Sequence, residues 1–556
     1  METRSNRQCI SRQEPAPWSV YIIRCADNTL YTGISTSVER RFVQHCRGGP
    51  KGARYLRGRS PLALVLSVVI GSRSDALRCE AGIKRLSRRD KLDLIAHPSR
   101  VRELLVSSRS NSTPQPVAQE CSCLAQRSSP AAADRLPLLV VSDEEGRVFE
   151  IPHLRMTAMS ANRVRVVHKD DVIPLPPGSD LFSLPGRAAL GYDPVCGSIV
   201  EVSDYEGRPV RAVAAFMAPA HMQLARAAWK SLHGSARLPM YSYTAVGWRR
   251  GRFYVCGMRI DADQRQDCCH FDNARVRTRA RTLARRHREN RLWVHLMENC
   301  VLRYTCPAAR NLAMGRWEAP LPVSRSCNAA CLACISEQPC THCVTAPQER
   351  MDFVPTVDEI AGVAIPHLIS APRPVVSFGQ GCEGEPLLYA SLIEESIRAM
   401  RQKTSRGTIN LNTNGSRPRE VERLCRAGLD SMRVSLNSAR SDWYVRYHRP
   451  RDYTFADVEA SLRGAREQGC WTSLNYFIFP GFTDTLDELD ALKGLIERTG
   501  VSMIQTRNLN MDPEWYGAQM GLENRCDKAV GMREWVREIR RCFPRLRLGY
   551  FNPPVR

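Results

Sequence analysis

The C-terminal half of the chain contains the stretch Cys327-Asn328-Ala329-Ala330-Cys331-Leu332-Ala333-Cys334, in which three cysteines have the spacing C-x3-C-x2-C. Thiolates are soft ligands that suit iron–sulfur clusters and zinc. Three of them within eight residues can bind one metal centre without help from distant parts of the fold, and they leave one coordination position open. The spacing therefore predicts a metal centre that can accept a further ligand.

The sequence around these cysteines alternates between short apolar runs and amphipathic helical stretches. The runs lie at residues 375–378, 408–411, 431–436, 473–479 and 503–506. Capping boxes at residues 356–359 and 485–488 mark two helix starts, and Gly428, Gly469 and Gly500 stand where helices should end. With one more strand expected before Cys327, the pattern predicts six parallel strands joined by right-handed helical crossovers.

The cysteine spacing resembles that of the radical S-adenosylmethionine (radical SAM) superfamily. The resemblance covers residues 321–556 and implies a partial (βα)6, TIM-like barrel. It also implies that Cys327, Cys331 and Cys334 hold a [4Fe–4S] cluster whose fourth iron binds SAM. A protein of this family would cleave SAM reductively to a 5′-deoxyadenosyl radical, which takes hydrogen from a substrate. No motif in the chain identifies that substrate.

Polar or glycine-rich residues follow each predicted strand, at the place where ligands bind in parallel α/β folds. After the second strand, Gly384-Glu385-Pro386 resembles the family's Gly-Gly-Glu-Pro motif, which holds the amino group of SAM, although Glu383 replaces the first glycine. The same resemblance implies that the methionyl carboxylate or the ribose is bound by Asn414 and by Ser435 or Asn437. Ala333 occupies a position that is often aromatic in the family, so we expect adenine contacts elsewhere.

A zinc site is the alternative for the same cysteines. Cys340 and Cys343 form a second C-x2-C pair after Cys331 and Cys334, but only five residues separate the pairs, fewer than in ordinary zinc ribbons. The strand and helix pattern and the Gly-Glu-Pro loop favour the cluster. The candidates for an auxiliary metal are Cys340 with Cys343, Cys300 with Cys306, and Cys268-Cys269-His270.

The N-terminal region combines short strands, a hairpin turn at Asp27-Asn28 and a basic helix. Val20-Tyr21-Ile22 and Tyr31-Thr32-Gly33 resemble the GIY-YIG nuclease family over residues 18–96. The resemblance implies a small α/β domain in which tyrosines and an arginine surround the attacking water and the scissile phosphate, while a glutamate binds a divalent metal. The corresponding residues are Tyr21, Tyr31, Arg41, His45 and, for the metal, Glu80.

These roles suit the chemistry of the side chains. A guanidinium group can hold phosphate oxygens bidentately, and one carboxylate suits Mg²⁺, which keeps most of its waters. The alternative is a nucleic-acid clamp without turnover, in which Tyr21 and Tyr31 are ordinary strand aromatics and Arg41 and His45 belong to a solvated helix face. The resemblance favours the fold more strongly than the activity.

The chain as a whole is predicted to be an α/β multidomain protein. The expected divisions are a disordered tail (1–17), the GIY-YIG-like domain (18–104), a flexible linker (105–135), a β-rich accessory domain (136–320) and the partial barrel (321–556). Cys121 and Cys123 in the linker are taken as incidental. Eight arginines between Arg275 and Arg291 suggest either a nucleic-acid contact or, more commonly, a solvated helix face.

Charge and cysteine content limit the classes of function. The net charge of +23 suits a nucleic-acid partner, yet only 8 of the 80 basic residues are lysine, a ratio that codon bias also produces. The 22 cysteines are too few for a disulfide scaffold, and no secretion signal or membrane-length apolar run is evident. The sequence therefore indicates a cytoplasmic protein without a membrane span.

The favoured hypothesis is a radical SAM enzyme with an appended GIY-YIG domain. It needs a one-electron donor such as flavodoxin or ferredoxin, and nucleic acid is a candidate partner of the N-terminal domain. A second hypothesis is a nucleic-acid-binding or cleaving protein with a structural iron–sulfur or zinc centre. A third is a metal-binding adaptor without either activity.

Overall fold

The computed structural model describes residues 17–26, 29–46, 62–86, 91, 94–95, 101, 136–339, 342–523 and 528–556. The chain forms two compact units, Met1–Leu124 and Ala125–Arg556. Several predicted features lie outside the described residues, namely residues 1–16 of the tail, the Asp27-Asn28 turn, the linker with Cys121 and Cys123, and Cys340. Among the described residues, no helix has the length and apolar character that crossing a bilayer requires.

The first unit is built on a three-stranded antiparallel sheet in the order β2-β1-β3. The central strand is almost completely buried, because it packs on both faces. The elements are β1 (Trp18–Arg24), β2 (Leu30–Ser35), α1 (Val38–Cys46), β3 (Ala63–Gly71) and α2 (Arg73–Arg85). This small α/β domain agrees with the prediction.

The middle of the chain is rich in β-structure, as predicted. Thirteen strands form one irregular antiparallel sheet, and β11 pairs with β12 separately. The strands are β4 (Leu138–Ser142), β5 (Val148–Ser160), β6 (Arg163–Val166), β7 (Val172–Pro174), β8 (Asp180–Ser183), β9 (Arg187–Asp193), β10 (Ser198–Val202), β11 (Asp204–Tyr205), β12 (Arg208–Pro209), β13 (Arg211–Phe216), β14 (His221–Gln223), β15 (Arg226–Ala227), β16 (Trp229–Ser231), β17 (Val246–Arg249) and β18 (Arg252–Arg259).

Helices connect this sheet to the next one. They are α3 (Asn273–Arg286), α4 (Arg291–His295), a π-helical segment (Leu296–Arg303) and α5 (Pro307–Ala313). The Arg-rich stretch was predicted as one helical run to residue 292, but α3 ends at Arg286 and α4 begins after Asn290, whose side chain accepts a hydrogen bond from the Trp293 N–H. Only Val276, Ala280 and Ala284 of α3 are buried, so its arginines lie on the solvated side.

Seven parallel strands in sequence order form the second sheet. They are β19 (Glu318–Leu321), β20 (Val375–Phe378), β21 (Thr408–Thr413), β22 (Ser431–Leu436), β23 (Trp471–Ile478), β24 (Met503–Asn508) and β25 (Arg547–Gly549). The helices between them are α6 (Val357–Ser370), α7 (Ala390–Lys403), α8 (Pro418–Ala427), α9 (Ser441–His448), α10 (Phe455–Glu467), α11 (Leu486–Thr499), α12 (Pro513–Met520) and α13 (Met532–Cys542). The predicted six-stranded partial barrel is confirmed, with a short seventh strand added.

Three helix ends and two helix starts were predicted from local sequence. Gly428 and Gly500 cap α8 and α11 in the left-handed conformation, with φ of 116° and 60°. Gly469, with φ of 79°, follows Gln468 at the end of α10. The capping box at Thr356 and Glu359 is present. The one predicted at Thr485 is absent, because Glu488 turns inward and accepts hydrogen bonds from Ser438, Ala439 and Tyr476.

The β-rich region packs against the barrel at the carboxyl ends of β23 and β24. The Ala161 N–H donates to the Pro480 carbonyl at 2.7 Å, and the Gln223 N–H donates to the Asn508 side chain at 2.9 Å. A buried ion pair joins Arg187 to Asp512 across this contact. The two regions also share one hydrophobic core, to which Met156, Met222, Val276, Trp293, Ile360 and Val376 all belong.

The buried ion pair generates a test of this contact. The Arg187 and Asp512 side chains are each 3% exposed and lie 3.3 Å apart. We expect Arg187→Leu to lower the free energy of unfolding by about 3–5 kcal/mol, because it leaves a buried carboxylate without its cation. Urea unfolding followed by tryptophan fluorescence measures this. Lys230→Leu is the control, since the Lys230 ion pair with Glu201 is 65% exposed on the lysine side and should be worth at most about 1 kcal/mol. Equal losses in both variants would contradict the prediction.

Candidate active site

The cysteine loop lies at the carboxyl end of β19 and is held by the end of α9. The Ala330 N–H donates to the His448 carbonyl and the Leu332 N–H donates to the Tyr447 carbonyl, both at 3.0 Å. Leu332 and Ala333 are buried under aromatic side chains of the barrel mouth. The apolar residues between the cysteines therefore anchor the loop in the barrel mouth.

The three thiols are close enough to affect one another. Burial, and then the charge of Glu385, raises the pKa of Cys327 to about 11. Burial and the neighbouring thiols also raise the pKa of Cys331. Cys331 Sγ lies 3.4 Å from His448 Nδ1, and Arg350 Nη2 lies 3.9 Å from Cys334 Sγ. Since metal ligands must be deprotonated, Cys327 and Cys331 need a bound cation to remain charged.

The donor set bears on which metal would fit. Cys327 and Cys334 both lie close enough to Cys331 for their charges to act on it. Three soft thiolates that converge in this way fit an iron–sulfur cluster and leave one coordination position open.

The loop after β20 lies directly against the cysteine loop. The Gly384 N–H donates to the Ser324 carbonyl at 2.9 Å, and the Glu385 N–H donates to the Ser326 carbonyl at 2.8 Å. A Cβ atom on Gly384 would meet the Ser326 oxygen at 1.9 Å. Position 384 therefore requires glycine for a close approach of two backbones.

Glu383 replaces a motif glycine without strain, since it does not adopt positive φ. Its buried carboxylate accepts three backbone hydrogen bonds, from Val323 at 2.8 Å, Ser324 at 2.9 Å and Gln380 at 2.5 Å. Burial raises the pKa of Glu383 to about 8. The side chain thus ties the end of β20 to the segment that leads into the cysteines.

Glu385 is likewise engaged within the protein. Its carboxylate accepts hydrogen bonds from the Leu387 N–H, the Thr413 hydroxyl and the Asn414 N–H, at 3.0, 2.5 and 2.8 Å. Burial raises the pKa of Glu385 to about 7, against the lowering effect of these donors. The Glu385 side chain therefore joins the loop after β20 to the loop after β21. Because this carboxylate is already occupied, a ligand would meet other groups of the loop, such as its backbone carbonyls.

The other predicted SAM contacts lie in different surroundings. Asn414 is buried, and its side chain donates to Asn328 in the cysteine loop at 2.8 Å. Asn437 is buried and donates to the Trp443 carbonyl at 3.1 Å. Ser435 is half-buried on the inner face of β22. Asn414 therefore contacts the cysteine loop directly through a side-chain hydrogen bond.

A set of side chains within the strands was missed by the sequence analysis. The inner face of the barrel is polar along its strands, whereas parallel strands covered on both faces are usually apolar throughout. Its residues are Glu318, Ser377, Asn410, Asn412, Arg433, Ser435, Asn475, Gln505 and Arg507. In β21 and β22 every second residue is polar, and this alternation is the signal that could have found them.

These side chains form a network across the interior. Arg433 donates to Gln505 at 3.0 Å, and the amide of Asn552 spans the open edge of the barrel. This amide donates to Glu318 and Ser377 at 3.3 Å and accepts from Gln505 at 3.2 Å. Burial raises the pKa of Glu318. Arg433 remains partly accessible, so the interior is a polar space next to the cysteine loop.

The first unit brings its predicted residues together as well. The Tyr21 hydroxyl lies 2.9 Å from His45 Nε2, and the Tyr31 ring lies 5.5 Å from the His45 ring. Burial, and then the charge of Tyr31, raises the pKa of Tyr21 to about 12, while Arg41 and Glu80 also act on it. Burial lowers the pKa of His45. The other four predicted residues therefore lie around the Tyr21 hydroxyl.

The remaining cysteine groups are less compact than predicted. Cys268, Cys269 and Cys343 are exposed, and Cys340 lies outside the described residues. Cys300 is buried, and Cys382 lies 3.6 Å from it. Cys382 was not among the predicted candidates, because nothing in the local sequence links it to residue 300.

Comparisons with known proteins agree with both sites. The profile described as "Radical SAM superfamily" matches residues 321–492, and the profile described as "GIY-YIG catalytic domain" matches residues 17–93. The UPF0213 protein of Cronobacter sakazakii is 58% identical over 79 residues, which are 14% of this chain and 81% of the relative. The UPF0213 protein YhbQ of Escherichia coli K12 is 53% identical over 91 residues, 16% of this chain and 89% of the relative.

Solved structures resemble separate parts of the chain. Native anSMEcpe with bound AdoMet is 15% identical and has a TM-score of 0.27, and the match covers 34% of this chain and about half (51%) of that one. Methylornithine synthase (PylB) is 12% identical over 44% of this chain and 69% of that one, with a TM-score of 0.30. The UPF0213 protein from Bacillus halodurans is 38% identical over 17% of this chain and 98% of that one, with a TM-score of 0.11.

The family assignment rests on the two profiles and on the near-complete coverage of the small relatives. The first profile covers the cysteine loop at the barrel mouth, and the second covers the cluster around Tyr21. The chain therefore carries a radical SAM domain at residues 321–492, and its N-terminal part is a GIY-YIG domain that belongs to the UPF0213 family.

Proposed function

We propose that the barrel is the catalytic part of a radical SAM enzyme. Cys327, Cys331 and Cys334 would hold a [4Fe–4S] cluster, and the loop around Gly384 would bind SAM. When bound, these groups would supply one-electron cleavage of SAM and a 5′-deoxyadenosyl radical for hydrogen abstraction. The observation that carries the proposal is the direct backbone pairing of the Gly384 loop with the cysteine loop at 2.8–2.9 Å.

The chain's own residues would position the ligand and exclude water. Leu332 and Ala333 seal one side of the cysteine loop with apolar contacts. Glu385 holds Asn414 in place, and Asn414 in turn contacts Asn328 between the first two cysteines. The polar interior offers hydrogen bonds and cationic groups to a substrate next to this loop. An electron donor such as flavodoxin or ferredoxin would complete the system.

SAM cleavage is the direct test of this proposal. The full chain, reconstituted anaerobically with iron and sulfide and reduced chemically, should show broad brown absorption and release 5′-deoxyadenosine from SAM. Replacing all three cysteines by alanine should abolish both signals, because no thiolate then holds the cluster. Cys196→Ala, an exposed cysteine of the β-rich region, should leave both unchanged. Deoxyadenosine release that survives the triple substitution would refute the proposal. Adding RNA, DNA or peptide to the same assay searches for the substrate.

Glu383 provides a test of how the SAM loop is held. Glu383→Gly restores the glycine of the family motif, yet we expect it to lower the free energy of unfolding by at least about 2 kcal/mol. The reason is that three backbone N–H groups lose their acceptor. Urea unfolding and SAM binding measured by calorimetry both report the change. Glu289→Gly in an exposed turn is the control, because its pair with Arg288 is 88% exposed on the glutamate side. A neutral Glu383→Gly variant would contradict this role.

For the N-terminal domain we propose metal-dependent cleavage of nucleic acid. The supporting observation is the convergence of Tyr31, Arg41, His45 and Glu80 on the buried Tyr21 hydroxyl. Arg41 would hold a phosphate oxygen, and Glu80, whose side chain is 16% exposed, would hold Mg²⁺. The neutral imidazole of His45 can accept a hydrogen bond from the Tyr21 hydroxyl and so orient the phenol oxygen toward a water.

Nicking of a supercoiled plasmid in Mg²⁺ tests this second activity. We expect Arg41→Ala to slow nicking about 100-fold or more, as loss of one positioned charge donor at a phosphate typically does. We expect Glu80→Gln to abolish nicking at the Mg²⁺ concentration that saturates the unaltered protein, because the ion loses its carboxylate ligand. Arg40→Ala is the matched control, since Arg40 is exposed one position earlier on the same helix. Binding of DNA without nicking, unaffected by Mg²⁺, would instead support a clamp.

A further inference from the structure

We propose that His295, Cys300 and Cys382 form a zinc site separate from the cysteine loop. One ring nitrogen of His295 and the two sulfurs all lie within 4.8 Å of one another, and all three residues are buried. The sulfurs of Cys300 and Cys382 are 3.6 Å apart. Two thiolates and an imidazole are a ligand set that zinc commonly takes in proteins.

The unusual helix geometry explains how His295 and Cys300 come together. Residues five apart on an α-helix point about 140° away from each other, because each residue turns the helix by about 100°. Here α4 passes into the π-helical segment Leu296–Arg303 directly after His295. A π-helix stacks residues five apart, and such segments occur frequently at functional sites. The change of helix type therefore places both side chains on one side.

The orientation of His295 suits a metal ligand. Its Nδ1 lies 3.2 Å from the Asn299 side-chain amide, whose oxygen and nitrogen positions are interchangeable. With the amide oxygen toward the ring, Nδ1–H donates to Asn299, which is the second hydrogen bond that metal-bound histidines usually make. The other nitrogen, Nε2, is buried without a hydrogen-bond partner, and the residue is 8% exposed.

A fourth ligand is within reach in the same region. The Cys306 N–H donates to the Cys300 carbonyl at 2.8 Å, and the thiol of this half-buried residue is close enough to Cys382 for the two thiolate charges to interact. A rotation of the Cys306 side chain, or one water, would complete a tetrahedral shell. Structural zinc sites are almost always closed in this way.

The position of Cys382 indicates what a zinc ion at this site would do. Cys382 lies two residues before Gly384, in the loop that pairs with the cysteine loop. A zinc ion there would fix this loop to the π-helical segment and hold it ready for its ligand. The inference does not depend on SAM chemistry, because the three residues are distinct from Cys327, Cys331 and Cys334.

Metal analysis in a background without the cluster cysteines tests the site. The full chain with Cys327, Cys331 and Cys334 replaced by alanine is expressed with added zinc, purified under thiol reductant and desalted. We expect about one zinc per chain. Adding Cys300→Ser and Cys382→Ser should reduce this at least tenfold. The matched control is Cys425→Ser with Cys470→Ser, another close thiol pair with sulfurs 2.9 Å apart and no histidine in the group, and it should retain the zinc.

Cobalt substitution adds a readout that does not depend on stability. The Co²⁺-loaded chain should show thiolate charge-transfer bands and the intense visible bands of a tetrahedral ion, and His295→Gln should shift or weaken them even if the variant folds poorly. Iron and sulfide in place of zinc, a Cys300–Cys382 disulfide under reducing purification, or a zinc content unaffected by the double substitution would each overturn the proposal.

Discussion

The active half of the molecule depends on the backbone pairing between two loops. Gly384 and Glu385 donate to the carbonyls of Ser324 and Ser326, and a Cβ atom at position 384 would be 1.9 Å from the nearer carbonyl oxygen. Glu383 reinforces the pairing from one side by accepting three N–H groups. Because both loops leave adjacent parallel strands, the sheet itself sets their separation, and the cysteine loop acquires its shape from this neighbour.

The barrel combines an apolar outer face with a polar inner face. Leu411 and Met432 pack toward the helices in the main core, whereas Asn410 and Arg433 face inward. Burying an arginine without a full set of partners costs free energy, so the polar lumen does not serve stability. Partial accessibility of Arg433 and Ser435 is consistent with an interior that receives another molecule.

Local signals in the sequence predicted much of this architecture. The period of apolar residues located the parallel strands, and the cysteine spacing located the loop, because both depend on neighbours along the chain. Contacts between distant residues could not be predicted in this way. Glu488 serves buried partners in place of its helix cap, and Cys382 meets Cys300 across 82 positions. In the sequence, Glu383 is only a departure from the Gly-Gly-Glu-Pro motif. The structure shows that its carboxylate accepts three backbone hydrogen bonds.

The β-rich region and the barrel share one hydrophobic core, so the domain matched by sequence and the domain that folds have different bounds. The radical SAM profile begins at residue 321, yet Met156 and Val276 lie in the same core as Ile360 and Val376. A fragment that starts at the barrel would expose this apolar surface to water and lose the hydrogen bonds to Pro480 and Asn508. The segment that the profile matches is thus smaller than the unit that folds. The barrel needs the β-rich region beside it to bury its own apolar surface.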